Sequence, residues 1–176
     1  MIDSVEQIED LLRTTQSITD TTPTSTLRRW RNELVEASVA VSYAISILGL
    51  DLSLLDRAAV STRDDILQDL VNELPQILGD EWVGGGWSLS PDASASVGAA
   101  SLLTDQDAEL YALHAAVAGC DFTDPEVVRE LRERVDPQHV RLHQLRSQLV
   151  SRLREVQDAV RRQYACGVAS VDDWLT

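Results

Sequence analysis

Between residues 142 and 164 the chain carries Leu142, Leu145, Leu149, Leu153, Val156, Val160 and Tyr164, at steps of 3, 4, 4, 3, 4 and 4. Steps of three and four place side chains on one face of a helix. The set follows an eleven-residue repeat of about 3.67 residues per turn, which runs nearly straight or with a slight right-handed supercoil. A stripe this narrow needs one or two partner helices rather than a surrounding core. The partner comes either from the same chain or from a second copy, as in a coiled coil. Leu142, Leu145 and Leu149 are therefore candidate contact residues.

The rest of the chain reads as helical too. Val5 to about Gln16 forms a first helix, opened by a capping box of Ser4 and Gln7. The TDTTPTST segment around Pro23 is a linker, and a long helix follows from about Thr26 to Leu48, with Gly49 as its stop. Its apolar stretch, Val35 to Leu50, is too short for a bilayer and is interrupted by Glu36, Ser38, Ser42 and Ser46, which marks a core helix. Residues 63–78 repeat apolar positions at helical spacing. Residues 80–103 are irregular and rich in Gly and Ser, and are expected to form a loop. A helix capped by Thr104 runs from Asp105 to about Ala118, ended by Gly119. Asp124–Pro125 and Asp136–Pro137 each read as an N-cap followed by a proline at the first helical position. They predict a short helix to about Val135 and a long C-terminal one over 137–165, closed by Gly167. Ser170 opens a last half-turn in which Trp174 and Leu175 dock on the body.

The expected fold is all-α: a single domain, 1–176, forming a bundle of about five to six helices. Acidic helices make up 1–79, the loop 80–103, and the C-terminal helices 104–176. Aromatic residues are only 5% of the chain, so the core must be aliphatic, which also favours helices over sheets. With 176 residues such a core needs neither disulfide nor metal.

Charge divides the molecule. The net charge is −14 and every one of the 15 basic residues is arginine. Residues 1–124 hold 6 arginines against 21 acids, whereas residues 125–176 hold 9 against 8. An acidic protein repels phosphate backbones, so nucleic acid is not an expected partner. Arg146, Arg152, Arg154 and Arg161, on the long helix, suit an acidic partner protein or an anionic ligand. Packing against the chain's own acidic helices would also explain them. The acidic N-terminus lacks an apolar signal segment, and Cys120 and Cys166 have no ligand spacing. A cytoplasmic location, away from membranes, is expected.

Chemistry is sparse. His139 and His143 are four apart on one helix side, a spacing that holds a divalent metal when further ligands are present. His114, Cys120, Cys166 and Asp136 have suitable side chains, but no spacing nominates them. A packing or surface histidine pair would look the same. Gly84–Gly85–Gly86 lacks the lysine of a phosphate-binding loop, although the flanking Trp82 and Trp87 could form an aromatic anchor for a partner. Asp64–Asp65 and Asp172–Asp173 fall in first helical turns, where the helix dipole accounts for them. No catalytic residue and no cofactor is nominated. The expected role is a non-enzymatic protein-interaction module, a regulator, adaptor or assembly factor, binding another protein or a second copy through the C-terminal helix. The alternatives are a helical binder of metal or anionic ligand, and a subunit of a larger enzyme complex.

Overall fold

The computed structural model describes residues 4–19, 21–59, 103 and 107–167. These form an all-α structure. Among the described residues the helices are α1 (Val5–Thr14), α2 (Thr24–Ala58), α3 (Ala108–Ala118) and α4 (Pro125–Ala165), with a 3-10 turn at Thr15–Ser17. The expected helix over 63–78, Trp82 and Trp87, the 80–103 loop apart from Leu103, and the tail from Ser170 lie outside the described residues.

The frame is an antiparallel pair of long helices. At about 1.5 Å per residue, α2 spans roughly 52 Å and α4 roughly 62 Å. The start of α2 meets the end of α4, where Arg28 donates to the Tyr164 hydroxyl. At the opposite end Arg132 Nε reaches Asp56 Oδ1 at 2.5 Å. Most contact between helices is made by this pair. Leu27, Leu34, Val41, Ile45, Leu48 and Leu55 of α2, with Leu142, Leu149, Leu153 and Val156 of α4, are buried in one continuous core. Each such side chain contributes about 1.5–3 kcal/mol by leaving water. By length and composition alone α2 is also apolar enough to cross a membrane.

α2 does not stop at Gly49. It continues nine residues further, to Ala58. Leu48, Asp51 and Leu55 extend the same buried face, so tertiary burial outweighs the roughly 1 kcal/mol that a mid-helix glycine costs relative to alanine. Two serines of this helix bond back to its own carbonyls. Ser46 Oγ donates to Ser42 O at 3.1 Å and Ser53 Oγ to Gly49 O at 2.9 Å.

α4 likewise is one helix, not two. Asp124 caps it, accepting from the backbone N–H groups of Glu126 and Val127, and Pro125 occupies its first turn. Pro137, expected to begin a second helix, lies inside the first. Buried positions stand on both sides of it, Val128, Leu131 and Val135 before and Leu142 after, with Gln138 and His139 half-buried between them. Burial on that stripe holds the helix together across a proline that cannot donate to the carbonyl four residues back. Pro137 and Glu133 are both exposed, so water can satisfy that carbonyl. Past Val156 the buried face falls on Ala159 and Gln163, while Val160 and Tyr164 are half-buried.

α1 opens as expected: Ser4 Oγ accepts from Gln7 N at 3.3 Å. α3 begins at Ala108 with Asp107 as its cap; the expected cap Thr104 and start Asp105 lie outside the described residues. Asp107 Oδ1 accepts from Glu109 N at 3.1 Å and Leu110 N at 3.2 Å, and Oδ2 accepts from Val5 N at 3.0 Å. One carboxylate thus satisfies orphan donors at two helix starts, where negative charge is favoured. It fixes α1 beside α3. Arg141 to Glu9, at 2.6 Å, then ties α1 to α4, and Gln138 to Glu109, at 2.7 Å, ties α3 to it. Gly119 ends α3, and α4 gives way at Cys166 to Gly167, whose φ of 71° is the left-handed conformation glycine adopts most readily.

Candidate functional site

The leucines of the seam are covered from within the chain. Leu142 and Leu145 are buried and Leu149 is 0% exposed, all within the core that α4 shares with α2. A partner reaching these three side chains would first have to part the two long helices.

The arginines divide into two groups. Several are engaged by the chain's own acids. Arg152 is 21% exposed and pairs with Glu155 at 2.5 Å, and its Nε is buried without a hydrogen-bond partner. Arg161 pairs with Asp158 at 3.3 Å. Arg129, Arg132 and Arg141 have their guanidinium pKa raised by hydrogen-bonded carboxylates of Glu126, Asp56 and Glu9 respectively. Arg146 is half-buried. Arg134, Arg154 and Arg162 are exposed.

Opposite the seam, the exposed positions follow the helical period: Val140, Gln144, Ser147, Ser151, Arg154, Asp158 and Arg162. Over its first three turns this strip carries no charge, and Val140 is 48% exposed. Beside it, Leu12 of α1 and Gln16 of the 3-10 turn line a groove of about 320 Å³ with Gln148, Ser151, Arg152 and Glu155. The strip is neutral from Val140 to Ser151 and carries Arg154, Asp158 and Arg162 toward the C-terminus of α4.

His139 and His143 are brought together. Their Nε2 atoms are 3.3 Å apart, with ring centroids 4.6 Å apart and planes at 83°. His139 lies over Gly49 of α2: a Cβ at that glycine would sit 3.6 Å from His139 Nε2. Among the described residues no group of three or more His, Cys, Asp or Glu side chains is placed to hold a metal ion. His114, Cys120, Cys166 and Asp136 therefore do not complete a set with this pair.

A second polar pair has no counterpart in the sequence reading. Asp51, 3% exposed on α2, lies 3.0 and 3.2 Å from Nδ1 of His114 on α3 through its two carboxylate oxygens. Burial pushes the Asp51 carboxyl pKa up, and the hydrogen bond and charge of His114 pull it back. The signal was present: Asp51 stands at a buried position of an apolar stripe, between Leu48 and Leu55. A buried carboxylate at such a point demands a donor. A carboxylate orienting an imidazole can serve a general base, but such chemistry also needs a nucleophile or substrate site beside it. Cys120 does not supply a reactive thiolate. Its pKa is raised by burial and then by Asp121 and Asp124, which stabilises the thiol.

Comparison with known proteins finds no match: no family model, no curated protein and no solved structure is significantly similar to this chain.

Proposed function

We propose that the protein is a non-enzymatic helical interaction module, acting as a regulator, adaptor or assembly factor, and that it binds another protein along the exposed strip of α4. The observation that carries this reading is the uncharged run Val140, Gln144, Ser147 and Ser151 on a helix otherwise dense in Arg and Glu. Charged residues are depleted at the centres of protein interfaces, and polar or charged groups form the rim. Beyond that run the strip carries Arg154, Asp158 and Arg162, with Asp158 engaged by Arg161, so its end is net positive on a molecule whose net charge is −14. The partner we propose presents a surface that is neutral over three helical turns and acidic where it meets these two arginines. Complementary charge of this kind sets orientation and speeds encounter more than it adds affinity. The module acts in the cytoplasm, with neither nucleic acid nor membrane as its target.

The test is a double substitution, Gln144→Glu with Ser147→Glu. Both side chains are exposed, so stability should stay within about 0.5 kcal/mol of wild type. Capture of the partner from source cells should be lost. Undiminished capture by the variant would contradict the reading. A dimer seen by light scattering, and abolished by the same substitutions, would identify the partner as a second copy.

A further inference from the structure

We propose that His114 of α3 is a phosphoryl-accepting histidine, with Nε2 as the nucleophile and Asp51 of α2 as its positioning residue. Asp51 sets the tautomer of the ring. It is 3% exposed, and its two oxygens lie 3.0 and 3.2 Å from His114 Nδ1. Among the described residues no other group is hydrogen-bonded to this carboxylate. An ionised carboxylate accepts and cannot donate, so the ring proton belongs on Nδ1. The lone pair is then on Nε2. Turning the ring away would leave a buried carboxylate without a donor, which opposes any other orientation.

Nε2 lies at the accessible end of the pair. The His114 side chain is 45% exposed, against 4% for that of Asp51. Among the described residues no side chain is hydrogen-bonded to Nε2. Side chains on a helix lean toward its N-terminus, so the residue that leans back over position 114 is the one a turn further on. That residue is Ala118, which is exposed, as is Ala115. Neither is long enough to cover the ring.

The ring itself is the nucleophile, so the pair needs no second one beside it. As Nε2 forms a bond the imidazole gains positive charge, and the carboxylate on Nδ1–H stabilises that charge. Acyl transfer would need converging donors for an oxyanion. The exposed neighbours on α3, Tyr111, Ala115 and Ala118, bring one hydroxyl at most. Phosphoryl transfer asks little of an acceptor beyond position, since the donor's own site holds the charge of the moving group.

The donor class is a phosphoramidate, a phosphoryl group carried on nitrogen, as on a histidine of a partner protein. The Nε2 lone pair forms the new N–P bond. The donor's N–P bond breaks, and its electron pair stays on the donor nitrogen. The Nδ1 proton remains on the ring, bonded to Asp51, and no oxidant, reductant or further reactant enters. Phosphorylation would add about −1.5 to −2 charges to the open side of α3. This inference does not depend on the strip of α4 proposed above.

The experiment treats the full chain with potassium phosphoramidate. Phosphorylation rates at His114 and at the exposed His143 are read in one sample by peptide mass spectrometry in alkali. Nitrogen NMR of the rings reads the tautomer. Wild type should hold its His114 proton on Nδ1 and should react faster there than at His143. Asp51→Asn removes the charge and keeps an acceptor. Asp51→Leu places an aliphatic side chain in the buried stripe between Leu48 and Leu55, which preserves the fold. Hydrogen bonds to charged groups are worth roughly tenfold more than neutral ones. The ratio of the His114 rate to the His143 rate should therefore fall by about tenfold in both variants, with the His143 rate and the circular dichroism unchanged. A ratio that stays the same in both variants would overturn the proposal. So would a wild-type ring protonated on Nε2, or no phosphoryl adduct at His114.

Discussion

Gln163, near the end of α4, is bound to Thr22 at the entrance to α2: its Nε2 donates to the Thr22 carbonyl at 2.6 Å, while its Oε1 accepts from the Thr24 hydroxyl at 2.7 Å. Both groups of a buried carboxamide are satisfied where the start of α2 meets the end of α4. This matters because Pro23 precedes α2 and gives it no side-chain cap. Replacing Gln163 by alanine leaves the Thr22 carbonyl buried without its donor. Such an orphan costs about 1–3 kcal/mol. Urea denaturation of Gln163→Ala should show a loss of that size, and an unchanged midpoint would mean the bond contributes nothing.

Gly49 can be replaced by alanine at a profit to the fold. The new Cβ meets His139 Nε2 at 3.6 Å, an ordinary van der Waals distance. Helix propensity and the stiffer unfolded chain together favour alanine by about 1 kcal/mol. Gly49→Ala should raise the denaturation midpoint accordingly. Destabilisation would mean that the two long helices approach more closely here than the structure shows.

Pro137→Ala tests the continuity of α4. Alanine removes the clash with the carbonyl of Glu133 and restores a donor to it, terms worth about 3 kcal/mol when both are recovered in full. We expect stabilisation of about 1–3 kcal/mol by thermal or chemical denaturation. A proline that began a separate helix would be favourable where it stands, and its loss would then destabilise the protein.

Asp51 carries a pH signature. Its pKa in the folded protein is raised above the ordinary 3.8, chiefly by burial. The folded state therefore holds this proton more tightly than the unfolded chain does. Its contribution to stability is fully present below the unfolded value and is lost as pH rises through the folded one. Asp51→Asn does not titrate. Its stability relative to wild type should increase as pH climbs above about 3.8 and then level off. Urea midpoints measured for both proteins across the acid range check this, and a relative stability that falls over the same interval would reverse the assignment.

Much of this architecture could be read from residue order because it depends on local chemistry. Ser4 and the Asp124–Pro125 pair cap helices wherever they stand, and the spacing of Leu142, Leu145, Leu149 and Leu153 demands one buried face. What covers that face is a matter of long-range packing, so α2 could not be named as its partner. Gly49 and Pro137 misled for one reason: both are local stop signals overridden by burial on either side, Leu48 with Leu55 and Val135 with Leu142. The same periodicity, followed through α2, would have placed Asp51 in the core, although not His114 beside it. Val140, Gln144, Ser147 and Ser151 were legible as the side opposite the seam. Neutral polar residues carry no chemical motif, so nothing in residue order marks them as a site.

The most direct test of binding through α4 is a photoreactive amino acid placed at Ser147, in the middle of the neutral strip, with a control at the exposed Glu130 on the same helix. After irradiation in source cells, the probe at 147 should yield one discrete adduct with a single protein species, and the probe at 130 should not. No adduct at 147, or the same adducts from both positions, would contradict a binding role for this face.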